Sequence, residues 1–336
     1  MISRVAENAF WLTRYLDRVE SMARLLYVNT NFVLDVQLED TPRWHPLVVV
    51  AGEEKRFMGS VPKKAKDDGE TVQRFLTWEP SNPSSIAASL GAARENARTI
   101  RETISLEMWE TLNGLWLWFN SKEAERRYQQ ERFEFYREVR NQCVLFQGFA
   151  LDTMLQSEAY NFMRLGSSLE RAGQTARILD VKYHAMGPTG NHIEMPSEVA
   201  QWQAILRSCA AIEPYFKVAH GELSGREVAE FLLFDRHFPR SVRRSLDRAW
   251  NFLQLIRPRG KTPIGKSSAE ALRGLRAELN ALTMEEIMAH GLHDKLTWFV
   301  DSVIEVCDAV QLDYFQSPLQ IKRPRSAQRT KRAEAL

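Results

Sequence analysis

Apolar residues recur at steps of three and four over nearly the whole chain, and that period constrains the fold more than any other feature. Near the start, Val5, Ala9, Leu12, Leu16, Val19, Ala23 and Leu26 form one stripe of a long helix. The same period runs through 86–118, 133–155, 159–181, 228–234, 242–256 and 282–315. Extended alternation is scarce: Leu47, Val48, Val49 and Val50 make a short run that suits a helix equally well. Polar or Pro/Gly-rich breaks fall at 52–70, 79–85, 187–197, 221–226 and 257–268, and 52–70, rich in Lys, Asp and Gly, reads as a mobile loop. The expectation is an all-α, multi-helix bundle of roughly ten helices.

The chain also repeats itself. At an offset of 153, Leu12, Leu16, Arg18, Ala23, Arg24, Leu26 and Val28 meet identical residues at Leu165, Leu169, Arg171, Ala176, Arg177, Leu179 and Val181. Trp44 meets Trp202 at an offset of 158, and Val72, Phe75, Leu76, Pro83 and Ser85 meet Val228, Phe231, Leu232, Pro239 and Ser241 at 156. Three blocks in one order at nearly one offset read as an internal duplication. The expected units are 1–155, 156–320 and a basic disordered tail at 321–336. Two copies packed about a pseudo-two-fold axis would bring equivalent helices together.

Composition excludes several classes. Among 336 residues, 44% hydrophobic and 26% charged usage leaves enough apolar surface for a core and rules out wholesale disorder. No apolar run reaches the length of a membrane span, and no secretory signal is indicated at the N-terminus. Cys143, Cys209 and Cys307 form no CxxC pattern and read as reduced thiols of a cytoplasmic protein. The net charge is +2, but six basic residues against Glu334 give the tail +5 and leave −3 for the body. A mildly acidic body argues against nucleic acid as a partner.

The repeated helix carries an acid-Arg pair followed by Ala-Arg: Asp17-Arg18 with Ala23-Arg24, then Glu170-Arg171 with Ala176-Arg177. Positions i and i+7 share a helix face, which aligns Asp17 with Arg24 and Glu170 with Arg177. Glu20 lies between the first pair, and Arg14 stands one turn before it. These charges border an apolar stripe, and a buried charge is costly unless paired. Two readings follow: an ion-pair network clamping the copies together, or a polar cleft whose guanidiniums hold a carboxylate or phosphate. A second charged stretch, Arg94, Glu95, Asn96, Arg98 and Arg101, has no counterpart in the other copy. It reads as ligand-binding residues or as a salt-bridged exposed face.

Arg14-Tyr15-Leu16-Asp17-Arg18-Val19-Glu20, Ala92 to Arg98, Met108 to Asn113, Leu169-Glu170-Arg171 with Ala176 to Asp180, and Phe238-Pro239-Arg240-Ser241-Val242 together resemble the bacterial alpha-E family over roughly 1–316. One departure is Asp17, where the family has Glu. The resemblance implies an all-helical protein acting with a circularly permuted ATP-grasp ligase, often with a transglutaminase-like peptidase, in peptide or amide-bond synthesis and modification. It assigns no catalytic residue, so Asp17 and Glu170 enter as candidates. Three readings stay open: a partner module of an amide ligase, an enzyme using Glu170 and Asp17 as acid and base, and a scaffold of ion-pair clamps. Self-association is left open as well.

Other signals carry less. Gly260 to Ser267 matches the phosphate-loop pattern, but no strand precedes it, and Ser267 with Glu270 reads as a capping box. His290, His293 and Asp294 are too sparse for a metal site. Trp109, Asn113, Trp116 and Trp118 read as core, and 122–140 as a long half-exposed helix or a partner-binding one. No metal and no cofactor are expected.

Overall fold

The computed structural model describes residues 3–35, 43–186, 196–219, 223–256 and 265–315. Sixteen α-helices and no strand occur among them. The first eight are α1 (Ser3–Asp35), α2 (His45–Val50), α3 (Glu54–Ser60), α4 (Gly69–Thr77), α5 (Ile86–Thr99), α6 (Leu106–Phe119), α7 (Lys122–Gln130) and α8 (Arg132–Thr153). The rest are α9 (Glu158–Met186), α10 (Pro196–Ser208), α11 (Ile212–Val218), α12 (Gly225–Phe234), α13 (Val242–Ile256), α14 (Lys266–Ala281), α15 (Met284–His290) and α16 (Leu292–Val310). No helix described is long and apolar enough to cross a membrane.

Local chemistry places the boundaries. The hydroxyls of Ser85, Ser105, Ser121 and Ser224 accept the amides of Ala88, Met108, Ala124 and Glu227, opening α5, α6, α7 and α12. Asp68 does the same for α4, and Thr283 with Glu286 forms a capping box at α15. A π-type turn, Gln311–Phe315, ends the described chain and sets Phe315 against Phe10 and Phe162.

The two long helices lie at the centre. α1 packs most extensively on α9; α5 and α8 flank α1, while α13 and α16 flank α9. Phe10 and Thr13 lie against Gly166 and Met163, and Asp17 and Arg18 against Arg171 and Glu170, so the pair runs in the same sense. The apolar stripes read from the sequence meet here: Ala9, Leu12, Leu16, Val19, Ala23 and Leu26 are buried, as are Leu165, Leu169, Ala176 and Leu179. The contacts are reciprocal. Thr13 Oγ1 donates to the Met163 carbonyl at 2.6 Å, while a Cβ at Gly166 would lie 2.3 Å from the Phe10 carbonyl oxygen. In the repeat alignment, Thr13 pairs with Gly166 and Phe10 with Met163. The short helix after each long one crosses to the other: α2 packs on α9, and α10 on α1. Trp44 closes on Gly69 and Trp202 on Gly225, again at aligned positions.

Several expectations need correction. The stretch 52–70 is not a loop: it holds α3 and a 3-10 turn at Lys63–Ala65, because Phe57 anchors α3 against Phe75 with centroids 4.9 Å apart. The stretch 122–140 is broken at Glu131 into α7 and α8, so that Tyr128, Phe135 and Tyr136 can turn into the core. The count exceeds ten because polar breaks inside the stripes end helices that periodicity alone joins. Ser267 forms no capping box; it lies inside α14, and the Ser268 amide is met instead by Asp313 Oδ2 at 2.8 Å. Residues 260–264 of the phosphate-loop match and the tail 321–336 lie outside the described residues.

The close approach at Gly166 yields a test. Gly166→Ala should destabilise by about 1–3 kcal/mol through overpacking against a backbone oxygen. Gly274→Ala, on α14 with open space around it, should stabilise by roughly 0.5–1 kcal/mol. Urea denaturation midpoints check both.

Candidate functional site

The adjacent acid and arginine of each motif find their partners on the opposing helix. Glu170 on α9 accepts from Arg14 Nε at 3.0 Å, Arg18 Nε at 2.9 Å and Gln174 Nε2 at 3.1 Å. Asp17 on α1 accepts from Arg171 Nε at 3.0 Å. Arg18 to Glu170 and Arg171 to Asp17 are therefore one contact made twice in opposite directions. The expected alignments of Asp17 with Arg24 and of Glu170 with Arg177 do not become ion pairs, because the cross-helix distance is shorter than two turns of one helix.

The methylene that Asp17 lacks has a structural consequence. Glu170 engages both of its oxygens, whereas Asp17 uses only Oδ1, and its buried Oδ2 has no hydrogen-bond partner. Gln147 from α8 fills the gap, donating to Asp17 Oδ1 at 2.8 Å and accepting from Arg171. Further along α1, Glu20 is fully buried and takes Arg24, one turn on, and Arg240 Nη2 at 2.8 Å. The Arg240 carbonyl in turn accepts from Thr175 Oγ1 at 2.7 Å. Burial alone would raise the pKa of Glu20, but the Arg240 and Arg24 charges outweigh it and hold the carboxyl at about 2. Glu170 is pushed well below the ordinary range in the same way, burial being overcome by Arg18 and Arg14. Arg14 also lies over the Trp11 ring, 4.5 Å from its centroid.

The two ends of this lattice differ. In the repeat alignment Arg177 matches Arg24, Gly173 matches Glu20 and Ser84 matches Arg240. Arg177 therefore lacks the carboxylate that Arg24 finds one turn back. Among the described residues its guanidinium makes one hydrogen bond, from Nη1 to the Val50 carbonyl at 3.2 Å. Burial lowers its pKa, and Arg18 and Arg14 press it down further against Glu170 and Asp301. The space left by Gly173 and Ser84 is a cavity of about 300 Å³ beside Arg14, Arg18, Glu170 and Arg177. Gly52 closes one wall with φ +77°; its aligned residue, Ala210, also has positive φ, at +54°. Three guanidiniums here face one buried carboxylate. Glu53 at the rim is engaged by Arg56 and by Ser84 Oγ.

The second stretch lies elsewhere. Arg94, on α5, donates to Asn113 Oδ1 at 2.9 Å and pairs with Glu95, which also takes Arg98; Glu95 and Arg98 are exposed. Arg101 stands over Trp109 at 5.7 Å. This set joins α5 to α6 and shares no contact with the α1–α9 lattice; Asn96 is half-buried beside it. Sequence reasoning missed Gln147, Gln174 and the partnership of Arg240. Only Arg240 carried a signal, in its Pro-Arg-Ser setting. His293 Nδ1 lies 2.8 Å from Asp180 Oδ1, and no group of metal-ligand side chains occurs among the described residues.

A bundle centred on two matching acid-arginine helices defines a class of all-α protein organised around a buried ion lattice. The chain belongs to the alpha-E family, whose model, a predicted alpha-helical domain with a conserved ER motif, matches residues 1–315. Relatives in Mycobacterium bovis and Mycobacterium tuberculosis, each described as an uncharacterized protein, are 24% identical over 318 residues. The match covers 87% of this chain and 34% of each relative, so the chain spans about a third of their length. A second M. tuberculosis relative is 23% identical over 318 residues. No solved structure matches.

The depressed Glu20 pKa predicts acid lability with a definite sign. Its contribution is complete above the ordinary value of 4.5 and is lost as pH falls through about 2. The size is on the order of 3 kcal/mol. Denaturation between pH 7 and 2 should show Glu20→Gln less stable than wild type at neutral pH and flatter across the acid range. Glu170→Gln should cost about 3–5 kcal/mol, since it strands Arg14 and Arg18.

Proposed function

We propose that this alpha-E chain is a helical partner of an ATP-grasp-type amide ligase in peptide or amide-bond synthesis. Its interior cavity binds a carboxylate- or phosphate-bearing ligand through Arg14, Arg18 and Arg177, with a transglutaminase-like peptidase as a further partner. The family context supports the first part. One observation carries the second: Arg177 faces a cavity without the carboxylate that its aligned counterpart Arg24 possesses. A half-buried guanidinium with one carbonyl partner is poorly compensated, and an incoming anion would supply the missing charge.

Within this reading Glu170 is an orienting anion. Held ionised by Arg14 and Arg18, it fixes their planes and has no proton to give near neutral pH. Asp17 is sealed away, 1% exposed, beside a void of only about 10 Å³. Acid-base catalysis by this pair is therefore the weaker alternative. The clamp reading describes the other end of the lattice, where Glu20 is satisfied by Arg24 and Arg240. We further propose that the two ends descend from one duplicated unit of about 155 residues. The reciprocal contacts at Thr13 and Gly166, and at Trp44 and Trp202, support that origin.

Co-expression with an ATP-grasp-type ligase from the same genome, followed by gel filtration, should give one joint peak; two separate peaks would count against the partnership. For the ligand site, inorganic phosphate should raise the melting temperature of the wild type and leave Arg177→Met unmoved. Without ligand, Arg177→Met should be near neutral in stability, because it removes an uncompensated charge. A loss of about 3–5 kcal/mol would instead mark Arg177 as a clamp.

A further inference from the structure

The cavity beside Arg177 continues along α9. A second lobe, also of about 300 Å³, shares Arg177, Val300 and Ile304 with the first and runs on to Asp180, His293 and Asp301. The groove thus lies between α9 and α16 over Val300 and Ile304, with Arg14, Arg18, Glu170 and Glu53 toward one end, Asp180 and Asp301 toward the other, and Arg177 shared between them. Arg14 and Arg18 stand at one end. Asp301, exposed on α16 and in no ion pair among the described residues, stands at the other beside the Asp180–His293 pair. Gly173 marks the cationic lobe and Asp180 the acidic one, seven residues or roughly 10 Å apart along the helix. About three extended residues of peptide cover that length.

We infer that this groove binds a short linear peptide of about three residues with both termini free. It rests on the anion site proposed above and names its ligand class. The peptide carboxylate meets Arg14, Arg18 and Arg177 in a charge-assisted fork. The terminal ammonium meets Asp301 and the Asp180 side, and small side chains lie on Val300 and Ile304. A ligand bearing only one of the two charges forgoes one of the two charge-assisted contacts and binds more weakly. Val49, Val50 and Leu296 line the acidic lobe together with Arg177, His293 and Thr297.

Trialanine, N-acetyl-trialanine, trialanine amide and inorganic phosphate form the probe set, read by calorimetry and thermal shift on the full chain. Free trialanine is expected to bind; acetylating its amine or amidating its carboxylate should weaken binding roughly tenfold or more. Asp301→Asn, an exposed change that leaves the core untouched, should weaken free trialanine and leave the acetylated peptide unaffected. If N-acetyl-trialanine binds as tightly as trialanine, or if phosphate binds and trialanine does not, the peptide inference falls while the anion site stands. If no probe binds, phosphate included, the anion site falls and this inference with it.

Discussion

Bringing α1 and α9 side by side buries carboxylates and guanidiniums between two apolar stripes, and the rest of the structure is arranged to make that tolerable. Each ion taken out of water costs several kcal/mol before any pairing. Glu170 is compensated by two arginines and a glutamine, and Glu20 by two arginines. Such a lattice permits one register. Sliding α1 past α9 by a turn would break the Asp17–Arg171 pair and the Arg14 and Arg18 contacts to Glu170, whereas an apolar seam would lose only part of its packing. The flanking helices hold the pair in that register and supply Gln147 and Arg240 where the central helices alone fall short.

The lattice is uneven, and the unevenness is where chemistry can enter. At one end Glu20 pairs with Arg24 and Arg240, and Arg24 also borders a cavity of about 550 Å³ together with Arg140 and Arg207. At the other, Gly173 removes the acid and Ser84 shortens the wall, so Arg177 meets open space instead of a carboxylate. One substitution deletes a charge and the other deletes volume. At these aligned positions the two ends differ in charge and volume, while both Gly52 and Ala210 have positive φ.

Much of this was legible beforehand, for particular reasons. The α1 and α9 stripes follow from Leu12, Leu16, Leu165 and Leu169, since helical period is a local property. Asp17, Arg18, Glu170 and Arg171 stood out because charges beside a stripe are costly unless they have a purpose. Their pairing was not legible: a helical wheel aligns Asp17 with Arg24, but the closest opposite charge comes from α9. Arg94, Glu95 and Arg98 show the converse, a pattern as rich in charge that lies on the outer side of α5 and stays largely wetted. At 52–70 polar composition concealed α3, because one buried phenylalanine is enough to seat a short helix.

The sequence by itself determined the helical class and which two helices carry matched acid-arginine pairs. Both are set by neighbours within a few residues. Only the tertiary structure decided that α1 and α9 meet in the same sense, that Gln147 and Arg240 complete the lattice, and that Arg177 faces a cavity. Those outcomes depend on distances between segments far apart in the chain, where a charge acts on whatever the packing brings within a few ångströms.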